Sequence, residues 1–166
     1  MSNQTPPPPP PSTPQPAGAG GFDPNNALND LKSAGRENLA LAAIGVLTFI
    51  WGLLPYYTAS SGGLSASGNA WHGFFGWFAT LLALAAGVLA ILPALKVKVP
   101  VPSVTIVGLF GVAFIFTLLA LFIWPGKVSG LDIDYGHGVG YWLALIFTLG
   151  GTALSGYLYT KEQKLA

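Results

Sequence analysis

The chain has 166 residues, of which 52% are hydrophobic and 8% charged, against roughly 25% charged in soluble proteins. Seven basic and six acidic side chains leave a net charge of +1, so there is no basic footprint for nucleic acid. The absence of cysteine excludes disulfides, thiolate metal sites and cysteine nucleophiles; an integral membrane protein is what this composition predicts.

The first 24 residues hold 9 of the 14 prolines, including the run Pro6 to Pro11. Such a segment cannot bury enough apolar surface to offset its ordering entropy, so residues 1–22 are expected to be a disordered, partly polyproline II cytoplasmic tail. It has no basic start, apolar core or cleavage-type site and so does not read as a secretory signal. Its prolines suit an SH3-like or WW-like groove, or serve as a solvated spacer. Asp23 before Pro24 resembles a helix start. Over 23–38, Leu28, Leu31 and Ala34 alternate with Asp30, Lys32, Arg36 and Glu37, which predicts a short amphipathic helix on the membrane surface.

No Asp, Glu, Lys or Arg occurs in the 58 residues between Glu37 and Lys96. That run is too long for one crossing and has a polar interruption, Thr58 to Asn69, at its centre. It predicts spans at about 39–57 and 71–95; later charge-free runs predict spans at about 102–124 and 138–159. Pro55, Pro93, Pro100, Pro102 and Pro125 fall near the predicted ends, where a missing amide costs least. Segments such as Ala79 to Leu92 are apolar all round, unlike the alternating strands of a barrel, so an all-α, four-helix membrane bundle is expected. A six-residue cytoplasmic tail, 161–166, follows.

With four crossings, Lys32, Arg36, Lys96, Lys98, Lys161 and Lys164 share one side and only Lys127 lies on the other. This distribution predicts both termini in the cytoplasm of a cell bounded by an inner (plasma) membrane. The six inner cations are expected to contact anionic lipid. Tyr56, Tyr57, Trp71, Trp124, Tyr135, Tyr141 and Trp142 would form the outer aromatic belt, with Tyr157 and Tyr159 at the inner one.

Because lipid tails are as apolar as leucine, helices associate through close packing of small residues. Gly136, Gly140, Ala144, Thr148, Thr152 and Gly156 recur every four residues and predict a packing face on the fourth helix. Ala79, Ala83 and Gly87, with Ala86, Ala90 and Ala94 beside them, do so on the second, and Gly108 and Gly111 on the third. The fourth-helix stripe packs either within the chain or across a homodimer. Glycines 73, 76, 136, 138 and 140 suggest tight packing of aromatic rings where helices enter the membrane.

No carboxylate or amine lies inside a predicted span, which argues against a pump, proton-coupled transporter or voltage sensor. Motifs for phosphate loops, GxSxG or HExxH are lacking, and no enzymatic activity or cofactor is expected. The remaining polar cluster is outer: His72, His137, Asp132 and Asp134, together a possible donor set for zinc or copper. Interfacial histidines that merely keep a polar tip in water are the plainer alternative.

Five segments carry a resemblance: FDP at 22–24, LPYYT at 54–58, AWHGFFGWF at 70–78, KVPVP at 98–102 and DYGHGVGYWLALI at 134–146. Through them the chain resembles an uncharacterised family of actinobacterial four-span membrane proteins. The layout is also similar to the mycobacterial antigenic membrane-protein family, where the low-complexity tail follows the spans instead of preceding them. The resemblance implies an actinobacterial inner membrane, a four-helix bundle and envelope or division-site scaffolding. The expected function is therefore a non-enzymatic scaffold or interaction protein with membrane-protein partners. An outer-face small-molecule, lipid or metal binder and a transporter accessory subunit are the alternatives.

Overall fold

In the computed structural model the described residues are 29, 35–95, 97, 100–126 and 132–165. Most of the juxtamembrane segment, the tail over 1–22, and Lys32, Lys96 and Lys98 lie outside them. Within them, the charge-free runs form four helices: α1 (Arg36–Gly52), α2 (Phe74–Ile91), α3 (Ser103–Phe122) and α4 (Val139–Gln163). Of these, α2, α3 and α4 are long and apolar enough to cross a membrane. The 17 residues of α1 reach about 25 Å.

The helix ends differ from those expected, for local reasons. The first helix spans 36–52 instead of 39–57, because Pro55 has no amide to donate and holds the preceding residue out of helical backbone. The second begins at Phe74, not 71: Gly73 is extended (φ −135°, ψ 137°), and Ala70–His72 is a separate 3₁₀ turn. It stops at Ile91, just before Pro93, and α3 likewise sits between Pro102 and Pro125. The fourth helix continues through Lys161 to Gln163, so the first half of the expected C-terminal tail is helical.

Each helix packs against its sequence neighbour, and α4 closes the ring against α1. Small residues make these approaches possible. Ala79, Ala83, Ala86, Gly87 and Ala90 are all buried on α2, in agreement with the small-residue faces read there. On α4 the buried positions are Gly140, Tyr141, Ala144, Thr148, Gly151 and Ser155. The face therefore starts on the four-residue stripe and leaves it after Thr148. Four residues turn a helix by about 400°, so a strict four-residue repeat drifts about 40° per step and moves off a flat interface. A side chain at Gly156 would accordingly meet nothing within 4 Å, whereas one at Gly151 would strike the Phe110 ring at 2.5 Å. Gly136 lies outside α4 altogether, in a strand. Gly108 and Gly111 face open space too; α3 buries Phe110, Ala113, Thr117 and Ala120 instead.

Each helix also buries one threonine: Thr48, Thr80, Thr117 and Thr148. Their hydroxyls donate to carbonyls three or four residues back, at 2.8–2.9 Å, so no partner on another helix is required.

An unexpected feature caps one end of the bundle. The α1–α2 connection forms β1 (Tyr57–Ser61) and β2 (Leu64–Gly68), and the α3–α4 connection contributes β3 (Asp134–His137). They make one antiparallel sheet in the order β2-β1-β3. The all-α expectation is thus corrected to a helical bundle with a small sheet. Gly62 and Gly63, at φ +56° and +83°, form the two-residue hairpin turn, a backbone that glycine adopts without steric cost.

The sheet cap and its aromatic floor as candidate functional site

Strand register sorts the cap into two faces. Tyr57 pairs with His137 and with Gly68, and Ala59 with Tyr135 and with Ala66. Successive side chains alternate, so these six residues share one face. Thr58, Ser60, Ser65, Ser67, Asp134 and Gly136 share the other, which is rich in hydroxyls. Trp124, just after α3, lies under the first face, with its ring centroid 4.9–5.2 Å from those of Tyr57, Tyr135 and His137.

Below the sheet is a buried aromatic cluster. Tyr56 and Tyr141 are fully buried and Tyr57 is 4% exposed. The Tyr56 ring centroid lies 5.0 Å from that of Tyr57 and 5.2 Å from that of Tyr141, both edge-on. These tyrosines were expected in the interfacial belt. Instead, Pro55 ends α1 and the chain doubles back, taking both rings inward, and the glycines of α2 and α4 make room. A side chain at Gly140 would sit 2.5 Å from the Trp51 carbonyl oxygen, and one at Gly138 would collide with the Pro55 carbonyl. The packing made by Gly138 and Gly140 is therefore backbone on backbone. Gly73 does lie beneath a ring, that of Tyr57. Trp71 and Trp142 remain outward-facing, in keeping with a belt.

The three phenol hydroxyls make no hydrogen bond. That of Tyr56 faces Thr117 and that of Tyr57 faces the Gly76 amide, but neither pair closes to bonding geometry. Burial raises the Tyr56 phenol far above its ordinary range, helped by Tyr57 and Tyr141. Burial also pushes Tyr57 up to about 12. Both stay protonated at neutral pH.

The two histidines have different surroundings. His72 is exposed, with Nδ1 2.9 Å from the Asn69 side-chain oxygen. His137 is half-buried; its ring centroid is 4.2 Å from that of Tyr141, and Nε2 lies 3.2 Å from the Ala120 carbonyl it bonds. Burial lowers its pKa below the usual histidine value, and the Ala120 carbonyl opposes this in part. Asp134 stands three residues before His137 on the same strand, so alternation sends its carboxylate to the opposite face. The Asp132 backbone carbonyl accepts from the Ser61 hydroxyl at 2.8 Å. The candidate metal set His72, His137, Asp132 and Asp134 is therefore not gathered at one point. Among the described residues, no group of three His, Cys, Asp or Glu side chains is placed to hold a metal ion.

Among the described residues, three recesses adjoin the cap, one of them against the outer ends of β1 and β2 beside Ile133; the other two meet at Tyr57. Of these two, one, about 200 Å³, lies between the sheet, His72, Trp124 and Pro125. The other, about 190 Å³, is bounded by Tyr57, Gly73, Phe74, Phe75, Ile123 and Pro125. Tyr57 and Pro125 form the wall common to both. The role of Tyr56, Tyr57 and Tyr141 was not legible in the sequence beyond their aromaticity; the signal present was LPYYT, where proline directs the following pair away from the helix axis.

At the opposite end of the bundle, Lys161 Nζ lies 3.3 Å from a Glu37 carboxylate oxygen, both half-exposed. Ser103 donates to Glu162 at 2.5 Å. Arg36, Lys161 and Lys164 are exposed there, so the described members of the predicted inner cation set share one end. Compared with protein-family models, curated proteins and solved structures, the chain has no significant match.

Proposed function

We propose that this protein is a non-enzymatic, four-span interaction protein of the cell envelope. Both termini lie in the cytoplasm and the sheet cap is on the outer side of the plasma membrane. The feature that carries this reading is β2. It is an edge strand, Leu64 at its start is 81% exposed, and Ser65, Ala66 and Ser67 are also exposed. In a two-residue hairpin closed by Ser61 and Leu64, the amides of Ser65 and Ser67 point away from β1. The unpaired outer edge of a strand of mostly small residues, held on a fixed platform, accepts a strand from another protein through main-chain hydrogen bonds. The basic residues Arg36, Lys161 and Lys164 at the far end support the orientation. The resemblance to actinobacterial four-span proteins supports the envelope setting.

The test is photocrosslinking in intact cells, with a photoreactive residue at position 64 and, as a control, at the outward-facing position 142. A discrete protein adduct at 64, lost in Ser67→Pro, is the expected result. Proline removes an outward amide while sparing the inward ladder. Absence of any protein adduct at 64 would refute the reading.

A further inference from the structure

The recess between the sheet, His72 and Trp124 combines three features that strand pairing at the β2 edge does not use. Its shape follows from register. Tyr135, Ala59 and Ala66 form one row across β3, β1 and β2, and in the next row Tyr57 faces Gly68. Large side chains thus stand against β3 and β1 and only small ones against β2, which leaves a hollow of about 200 Å³. That is below the roughly 300–1,000 Å³ of pockets enclosing a drug-sized ligand, so the space suits one small ring. The second feature is an aromatic corner. Trp124 and Tyr135 are partly exposed, with ring centroids 5.1 Å apart and planes inclined at 52°.

The third feature is an acceptor whose chemistry the neighbouring bonds fix. The Asn69 side-chain oxygen accepts from the Trp71 backbone amide, a group that can only donate. The same oxygen lies 2.9 Å from His72 Nδ1, so Nδ1 must carry a hydrogen. In the neutral ring Nε2 is then left with a lone pair. His72 is exposed and borders the recess. Its ring rests on Gly68, where a side chain would lie 3.1 Å from Cγ and Nδ1, and no described residue bonds Nε2 at the far edge.

We infer that this recess binds a neutral pyranose, with one face of the sugar ring against Trp124 and Tyr135 and a hydroxyl donating to His72 Nε2. Among the described residues no charged side chain lines the recess. An anion would meet the negative faces of two aromatic rings and a lone pair, with no cation to offset its desolvation. A quaternary ammonium would be drawn to the rings, yet it has no hydrogen to give Nε2 and finds no carboxylate. A pyranose presents C–H groups on its face and hydroxyls at its rim, which matches both kinds of wall.

The full-length protein is placed in nanodiscs of phosphatidylethanolamine and phosphatidylglycerol, because alkyl glycoside detergents would themselves occupy the site. Saturation-transfer NMR then titrates the methyl β-pyranosides of glucose, galactose and mannose, with tetramethylammonium and methyl phosphate as charged probes. For the tightest of the three sugars a Kd on the order of 1–10 mM is expected, the range for a ligand of this size, and weaker binding of both charged probes. His72→Phe keeps a ring but removes the acceptor, and is expected to raise that Kd by about 2–10-fold, the effect of one hydrogen bond. Ala66→Phe fills the hollow and is expected to abolish binding. Both positions are exposed, so neither change disturbs the bundle; should Ala66→Phe fail to fold, His72→Phe decides. No binding of any pyranoside, tighter binding of either charged probe, or an unchanged Kd in either folded variant overturns the proposal. The probes need no protein partner, so failure of strand capture at position 64 leaves this outcome untouched.

Discussion

Gly45 on α1 and Gly87 on α2 meet backbone to backbone. A side chain at Gly45 would lie 2.9 Å from the Gly87 Cα and 2.5 Å from the Ala83 carbonyl, while one at Gly87 would lie 3.1 Å from the Gly45 Cα. The atoms in the way belong to the main chain, so the helices themselves must separate to admit a methyl group. Gly45→Leu is therefore expected to lower stability by about 1–3 kcal/mol or more. Gly108→Leu, into open space, is expected to change it little. Thermal unfolding of the two variants in the same detergent gives the comparison.

The small residues of α4 serve the interior of a single chain over part of their length. Gly140→Leu would strike the Trp51 and Pro55 carbonyls and is expected to prevent folding; Gly156→Leu has free space and is expected to be tolerated. Size-exclusion chromatography with light scattering would show the Gly156 variant unchanged in oligomeric state. Loss of a dimer in that variant, with folding intact, would move this part of the stripe to an interface between copies.

Acid is expected to weaken the cap through His137. Unfolded, the imidazole titrates near 6.5; in the fold, burial lowers that value. The unfolded chain takes up the proton first, so stability is intact above about pH 6.5 and declines as the pH falls toward the folded-state value. Melting temperatures measured between about pH 7.5 and 5.5 should fall in wild type and fall less in His137→Gln. An identical slope in the variant would assign the acid response to other groups.

The hairpin depends on its two glycines. Gly63→Val places a β-branched residue at φ +83°, which costs about 1–2 kcal/mol or more; Gly62→Asn suits its left-handed backbone. Hydrogen exchange of the Ala59 and Ala66 amides should accelerate in the first variant and stay protected in the second. If β2 captures a partner, crosslinking at position 64 should follow the same order.

The Lys161–Glu37 pair joins the two ends of the described chain, yet both side chains are about half-exposed. Solvent screening leaves such pairs about 0–1 kcal/mol. Lys161→Ala is expected to leave the melting temperature nearly unchanged at about 0.15 M salt. A large drop would mean that α4 depends on this end for its closure against α1.

Sequence alone determined the helical layout, because a charge in hydrocarbon is prohibitive and its absence over long runs is visible residue by residue. It also located packing residues on α2 and the Gly140, Ala144 and Thr148 part of the α4 stripe, since small side chains act through their size wherever a helix needs a close neighbour. Helix termini were less legible. Gly73 marks a break set by extended backbone angles that a run of apolar letters does not encode.

Only the tertiary structure decided the sheet. YTASS, LSASG and DYGH are short and weakly alternating, and β1 and β3 are joined by hydrogen bonds between loops that lie on either side of two helices in the chain. Such pairing becomes favourable only after the bundle has brought the loops together. The same assembly carried Tyr56 and Tyr57 from an expected surface belt into the interior and separated His137 from Asp134. Strand alternation and cross-strand register are properties of the pair, and neither strand states them by itself.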